Sequence, residues 1–237
     1  MNIFIVYAHS EPKSFNGALK DLAVDLLTEK GHNVKISDLY AMKFQPVADR
    51  EDFLELDNPD FFKYQIEQKI AYENGKLASD IVAEQEKLVW ADFVILQFPL
   101  WWFSVPAIMK GWVDRVFTTG FAYGGGKMYD KGGLKGKKAM LSVTIGGGKP
   151  MYSKTGLNGD IEQILFPIHH GILYFVGMEV LPPFITWAPA RVGDEGRQKY
   201  LEDYRQILLN LESIPSIKYR PLSDYDDEFK LKPGLES

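Results

Sequence analysis

Residues Asn2 to Ala8 (NIFIVYA) form an almost unbroken apolar run. A strand with one face in water alternates polar and apolar positions, so a run of this kind predicts a strand buried on both faces. The polar loop HSEPKSFN follows. From Gly17 to Lys30 the apolar positions are Leu19, Leu22, Ala23, Leu26 and Leu27, the spacing of one helical face, and Gly31 ends the segment. Asn33 to Leu39 predicts a second strand.

Tyr40 to Lys76 has no clear period and contains two prolines, and reads as an excursion from the sheet. Leu77 to Ala91 is amphipathic, with Ser79 and Asp80 placed to cap its start, and runs into a third strand in ADFVILQFPL. Ser104 to Thr118 predicts a helix with Pro106 in its first turn, and KKAMLSVTIGGG a fourth strand ending in a glycine loop. Asp160 to Val176 continues as helix, MEVLPPFITW holds a fifth strand, and Arg197 to Leu211 is a last helix with Leu201, Tyr204, Ile207, Leu208 and Leu211 on one face. Strands that alternate with helices imply a parallel sheet joined by right-handed crossovers, a doubly wound α/β domain. No repeat or linker divides it, so residues 1–211 are expected to form a single domain and residues 212–237 an irregular tail.

The 237 residues suffice for a sizeable core. A net charge of −5 with no basic stripe argues against nucleic acid as a partner. Because the chain has no cysteine, it has no disulfide, thiolate metal site or cysteine nucleophile, and catalysis must use other groups or a cofactor. The first apolar run lacks a preceding basic segment and reads as a strand, not a signal peptide. No stretch approaches the roughly 18 uncharged residues of a membrane span, and a cytoplasmic protein is expected.

In an open α/β sheet the ligand sits beyond the carboxyl ends of the strands. That rule selects HSEPKSFN, FPLWWFSVP and TIGGGKPMY, which follow the first, third and fourth strands. The first lacks the G-x-G-x-x-G dinucleotide pattern, but it sets Ser10, Ser14 and Asn16 at a helix N-terminus, where a phosphate is favoured; simple capping by Ser14 explains it as well. The second puts Trp101, Trp102 and Phe103 in a loop, to be covered by a flat ligand, by the domain or by a second subunit. The third exposes main-chain N–H groups beside Tyr152, as a polar ring edge or a plain glycine turn would require. His9 alone reads as a packed polar residue. His169 and His170 point about 100° apart on a helix and make no metal site, and Asp49 to Asp52 and Asp224 to Glu228 read as solvated surface.

AHSEPKSFN, SDLYAMKFQP, DIVAEQEKL, QFPLWWFSVPAIMKGW, FAYGGGKMYDKG and MYSKTGLNGD, in this order, resemble the NAD(P)H:quinone reductase (DT-diaphorase) family, and the likeness runs to about Tyr219. It implies a flavodoxin-like five-stranded sheet in the order 2-1-3-4-5. It also implies a homodimer with FAD, a hydride passed from a nicotinamide donor to flavin, and two electrons delivered to a quinone by a ping-pong mechanism. Carried onto matching positions, His9, Ser14, Phe15 and Asn16 hold the FAD phosphates and neighbouring groups. Leu100, Trp101, Trp102, Phe103, Thr144, Ile145, Gly146, Gly147 and Tyr152 surround the ring system. Arg197 resembles a late arginine near the cofactor, and Phe103, Tyr123, Met128 and Phe175 line the substrate pocket.

The chain also departs from the pattern. Trp101 and Lys63 stand at glutamine positions, Ile145 replaces a second threonine, and Gly125 removes a pocket tyrosine. Asn158 takes the place of the histidine that partners Tyr152, so Tyr152 and Asn158 are the residues expected to bear on catalysis. Together with the short tail this resembles the branch that prefers dihydronicotinamide riboside. Tyr174 and the lack of cysteine argue against that branch's zinc site. The alternatives are an FMN-dependent azoreductase or nitroreductase, and a flavodoxin-type electron carrier without a small-molecule acceptor.

Overall fold

A computed structural model describes residues 1–235. β1 (Asn2–Tyr7), β3 (Phe93–Pro99) and β4 (Lys138–Ile145) are buried almost throughout, as their apolar runs require, whereas β2 (Asn33–Asp38) alternates in exposure as an edge strand. The sheet is parallel with the expected order β2-β1-β3-β4-β5. The fifth strand arrives in two pieces, β5 (Glu179–Val180) and β6 (Phe184–Trp187), both paired to β4. Pro182 and Pro183 fall between them, and a residue without an N–H cannot extend a ladder.

One face of the sheet is covered by α1 (Phe15–Glu29) and α6 (Gly193–Leu209), the other by α3 (Ser79–Trp90), α4 (Ala107–Val116) and α5 (Ile161–Ile168). Ser14 caps α1, its Oγ accepting from the Gly17 amide (3.2 Å). A Cβ on Gly17 would lie 1.9 Å from the Pro12 carbonyl oxygen, so this glycine lets the loop after β1 fold back onto the helix start.

Two parts of the chain differ from the expected pattern. The excursion holds a 3-10 turn (Arg50–Asp52) and a helix, α2 (Tyr64–Asn74), whose buried face includes Glu67 and Gln68. The helix expected over 160–176 changes after Ile168 into a π-helical segment, His169–Tyr174. Pro167 cannot donate to the turn before it, and the ladder resumes in the wider register. Beyond α6 the chain returns to the sheet, with the Ile217 amide donating to the Val180 carbonyl (2.7 Å) and Leu222 to Asp130 Oδ1 (2.8 Å).

Candidate active site

A cavity of about 500 Å³ opens where β1, β3, β4 and β6 end. His9, Ser14, Phe15 and Asn16 line it from the start of α1; Leu100 and Trp101 come from the loop after β3; Thr144, Ile145 and Gly146 come from the end of β4; and Arg197 comes from α6. The three loops selected by the sheet rule therefore meet. Pro99, at the end of β3, and Ala188, Pro189 and Ala190, which had no distinguishing mark in the sequence, complete the wall. Ala188 has φ +47, a strained value for a residue with a Cβ.

Phe15 and Asn16 occupy the first turn of α1, where N–H groups have no intrahelical partner. His9 Nδ1 lies 3.0 Å from the Glu11 amide and 3.2 Å from the Glu11 carbonyl, contacts that shape the loop. Arg197 donates to the Pro189 carbonyl (3.1 Å) and pairs with Asp194, which holds the guanidinium at the cavity.

Trp101 and Ser104 exchange main-chain hydrogen bonds (3.1 and 3.0 Å), closing a two-residue turn at Trp102 and Phe103. Both have left-handed φ, +51 and +59, the geometry of a type I′ turn that normally calls for glycine or asparagine. Two bulky residues held so cost on the order of 1–3 kcal/mol each. Trp102 is 95% exposed. Strain and exposed aromatic surface at the lip of a cavity mark a binding surface.

Gly146 has open space where a Cβ would be, so its main chain faces the cavity unshielded. A Cβ on Gly147 would lie 2.8 Å from the Tyr152 ring, so glycine there lets the ring approach. Tyr152 packs between Phe103 (centroids 6.4 Å apart) and Trp187 (5.6 Å), the latter unforeseen. Asn158 is tied through its amide to the Met151 carbonyl (2.9 Å), which closes the loop carrying Tyr152. The donor set suits a flat, phosphate-bearing molecule: unpaired helix-start amides, one guanidinium, an open glycine edge and indole walls.

The expected substrate residues fall in two places. Phe103 stands with Tyr152, whereas Tyr123 packs on Phe175 (5.7 Å) in a separate aromatic group. Met128 and Phe175 line a second cavity of about 270 Å³, closed by Arg220, Leu222, Tyr225 and Phe229 of the tail. Here His170 stacks on Phe166 (4.7 Å, 10°) and meets Tyr219 edge-on (5.1 Å). Burial lowers the His170 pKa and pushes that of His169 down to about 4. Among the described residues no group of three or more His, Asp or Glu is placed to hold a metal, and no helix is long and apolar enough to cross a membrane.

Residues 1–208 match the family model described as flavodoxin-like fold. Human ribosyldihydronicotinamide dehydrogenase [quinone] is 51% identical over 217 residues, 90% of this chain and 94% of the relative. The chain belongs to the NAD(P)H:quinone reductase family. Another relative, NAD(P)H dehydrogenase [quinone] 1 of Cavia porcellus, is 46% identical over 227 residues, covering 95% of this chain and 82% of its own. The crystal structure of a putative quinone reductase from Klebsiella pneumoniae superposes with a TM-score of 0.97 at 43% identity, covering 100% of this chain and 95% of the other. The likeness to that structure thus runs over the whole of this chain.

Proposed function

We propose that this chain is an FAD-dependent oxidoreductase that takes a hydride from a reduced nicotinamide and delivers two electrons to a quinone. The observation that carries this reading is the cavity itself: an anion-seeking helix start and a bare glycine edge converge below a strained aromatic turn. Bound FAD supplies the ability to accept a hydride and release it as an electron pair. The chain's own part is position and electrostatics. The Phe15 and Asn16 amides, with Arg197, take the diphosphate region. Leu100 and Trp101 form a flat wall, and Thr144 with the Gly146 and Gly147 amides addresses the polar ring edge. Tyr152 would offer its hydroxyl to the negative charge that reduction places on the ring edge.

Donor and acceptor are both planar and, on this reading, share one aromatic pocket in turn, which gives parallel double-reciprocal lines. The dehydrogenases of human and Cavia porcellus named above support the choice of a nicotinamide donor and a quinone acceptor. We also assign a homodimer, in which Tyr123, Met128 and Phe175 of one subunit cover Phe103 and Tyr152 of the other. The exposed Trp102 and the separation of these two groups within one chain support it. Denaturing the purified protein and identifying the released flavin tests the cofactor, and NADH or dihydronicotinamide riboside oxidation with and without a quinone tests the activity. About one FAD per chain and quinone-dependent turnover are expected. Stoichiometric FMN, or no dependence on quinone, overturns the reading.

A further inference from the structure

Gln97 lies in β3, a strand otherwise made of apolar residues and proline, and is 1% exposed. A buried amide costs on the order of 1–3 kcal/mol when it lacks partners, so a strand centre admits one only where its hydrogen bonds are provided. Gln97 Nε2 donates to Asn16 Oδ1 (2.9 Å), and Asn16 Nδ2 donates to Thr144 Oγ1 (2.7 Å). Thr144 stands at the cavity wall, at the carboxyl end of β4, and Asn16 is 4% exposed at the start of α1. Three elements distant in sequence are thus joined by two buried bonds that end at the cavity.

We propose that Gln97 is a positioning residue, which orients the Asn16 amide so that Thr144 presents its hydroxyl proton to the cavity. The proposal rests on the flavin reading of that cavity. A threonine hydroxyl has one proton; once Oγ1 accepts from Asn16, that proton is left for the occupant. Asn16 can face Thr144 with its NH2 only while its carbonyl is satisfied by a donor behind it, and Gln97 is that donor. Reversing both amides would turn the Thr144 proton away from the cavity, toward Asn16. It would also leave the buried Gln97 NH2 unpaired, whereas in the arrangement found the atom of Gln97, Asn16 and Thr144 that is buried without a partner is the Gln97 Oε1 carbonyl. Buried unpaired N–H groups are the rarer of the two. The end of β4 thereby gives a donor to a carbonyl or imine edge of the ring system.

Gln97→Glu separates this role from packing. An ionised carboxylate has no proton to give, so Asn16 must turn its NH2 toward it and its carbonyl toward Thr144, and the cavity loses a donor. The protonated acid restores a donor in the same place. Tyr7 of β1 and, on α6, Tyr204 and Tyr200, which packs on Phe15, are titratable groups on this face of the sheet. Burial pushes Tyr7 and Tyr204 above the ordinary tyrosine range, so these two stay silent below about pH 9, and Tyr200 is common to parent and variant. Lys20 over the Tyr7 ring, and His9 and Arg197 at the cavity, are common to parent and variant.

FAD dissociation constants of the full-length chain, read by flavin fluorescence across pH, are expected to weaken about tenfold in Gln97→Glu where the carboxyl is ionised, the loss of roughly one hydrogen bond. They should return toward the parent value as pH falls. An affinity equal to the parent's at every pH, or a loss that pH does not restore, overturns the relay. Should that variant fail to fold, a cycle of Gln97→Met and Thr144→Val decides. The double variant is expected to bind FAD no more weakly than Thr144→Val alone, and independent, multiplying losses would show that Gln97 acts through packing only. A parent chain that binds no FAD removes the flavin reading itself, whereas a parent that binds it beside variants that bind it equally removes the relay alone.

Discussion

Tyr152 brings a phenolic hydroxyl to an edge otherwise made of glycine main chain, and its ring is fixed on both sides by Phe103 and Trp187. A donor held in place before charge develops stabilises that charge without reorganising. Losing one such donor costs on the order of 10² in rate, so Tyr152→Phe should slow reduction of the bound flavin by about that factor while FAD stays bound. Stopped-flow reduction by a saturating donor measures this; a variant as fast as the parent would remove Tyr152 from the role. An amide at Asn158 cannot act as a base near neutral pH, so Asn158→His should introduce a pH dependence near about 6.5 into the same trace. The three loops that meet at the cavity were legible in the sequence, because strand ends and helix starts announce themselves, whereas His9, Phe15, Leu100 and Ile145 were marked only by the family resemblance. Gln97 showed only as a polar letter in an apolar run. Its meaning lies in a contact with Asn16, 81 positions away, that no local period encodes.

A buried polar contact between elements lies outside the cavity, where Arg115 of α4 binds Asp52 (2.7 Å) and Asp80 (2.7 Å) and donates to the Gln45 carbonyl (2.9 Å). Tyr64 of α2 donates to Asp52 (2.5 Å), and α2 in turn supports the segment leading to Tyr123, with Tyr72 against Phe121 (5.8 Å). The excursion is therefore a brace. α2 escaped the hydropathy pattern because its inward face carries Glu67 and Gln68, which are satisfied by the Asp57 and Asn58 amides and by the Asp114 carbonyl and Thr119 amide. Asp52 and Arg115 are nearly inaccessible, and removing one partner strands the other's charge. Arg115→Met should cost on the order of 3–5 kcal/mol in denaturant unfolding, and a loss below about 1 would mean that the pair adds little. The π-helical segment adds a pH effect. Burial holds His169 neutral down to about pH 4, against an ordinary value near 6.5. Below about pH 6.5 the unfolded chain binds a proton that the folded chain refuses, so stability falls as pH drops toward about 4, by up to about 3 kcal/mol from this group. His169→Gln should flatten that part of the acid limb relative to the parent, and identical limbs would assign the loss to the carboxylates.

For the whole molecule, the sequence pattern implied a parallel doubly wound sheet and the family resemblance its order, but neither said that the substrate residues stand apart within one chain. Phe103 with Tyr152 and Tyr123 with Phe175 form separate clusters. In a two-fold dimer each active site would take its flavin edge from one subunit and its aromatic cover from the other. Tyr152→Phe damages the first half and Phe175→Ala the second. Neither homodimer then has an intact site. In the mixed dimer both lesions fall in one site, and the other combines an intact edge with an intact cover. Random reassociation of equal amounts makes half the dimers mixed, with one good site in two, so activity should recover to about a quarter of the parent's. Refolding or co-expressing the two variants and assaying quinone reduction measures it. Were each site built within a single chain, every site would keep one lesion and mixing would recover nothing. A monomeric mass in solution with full turnover would likewise overturn the shared site.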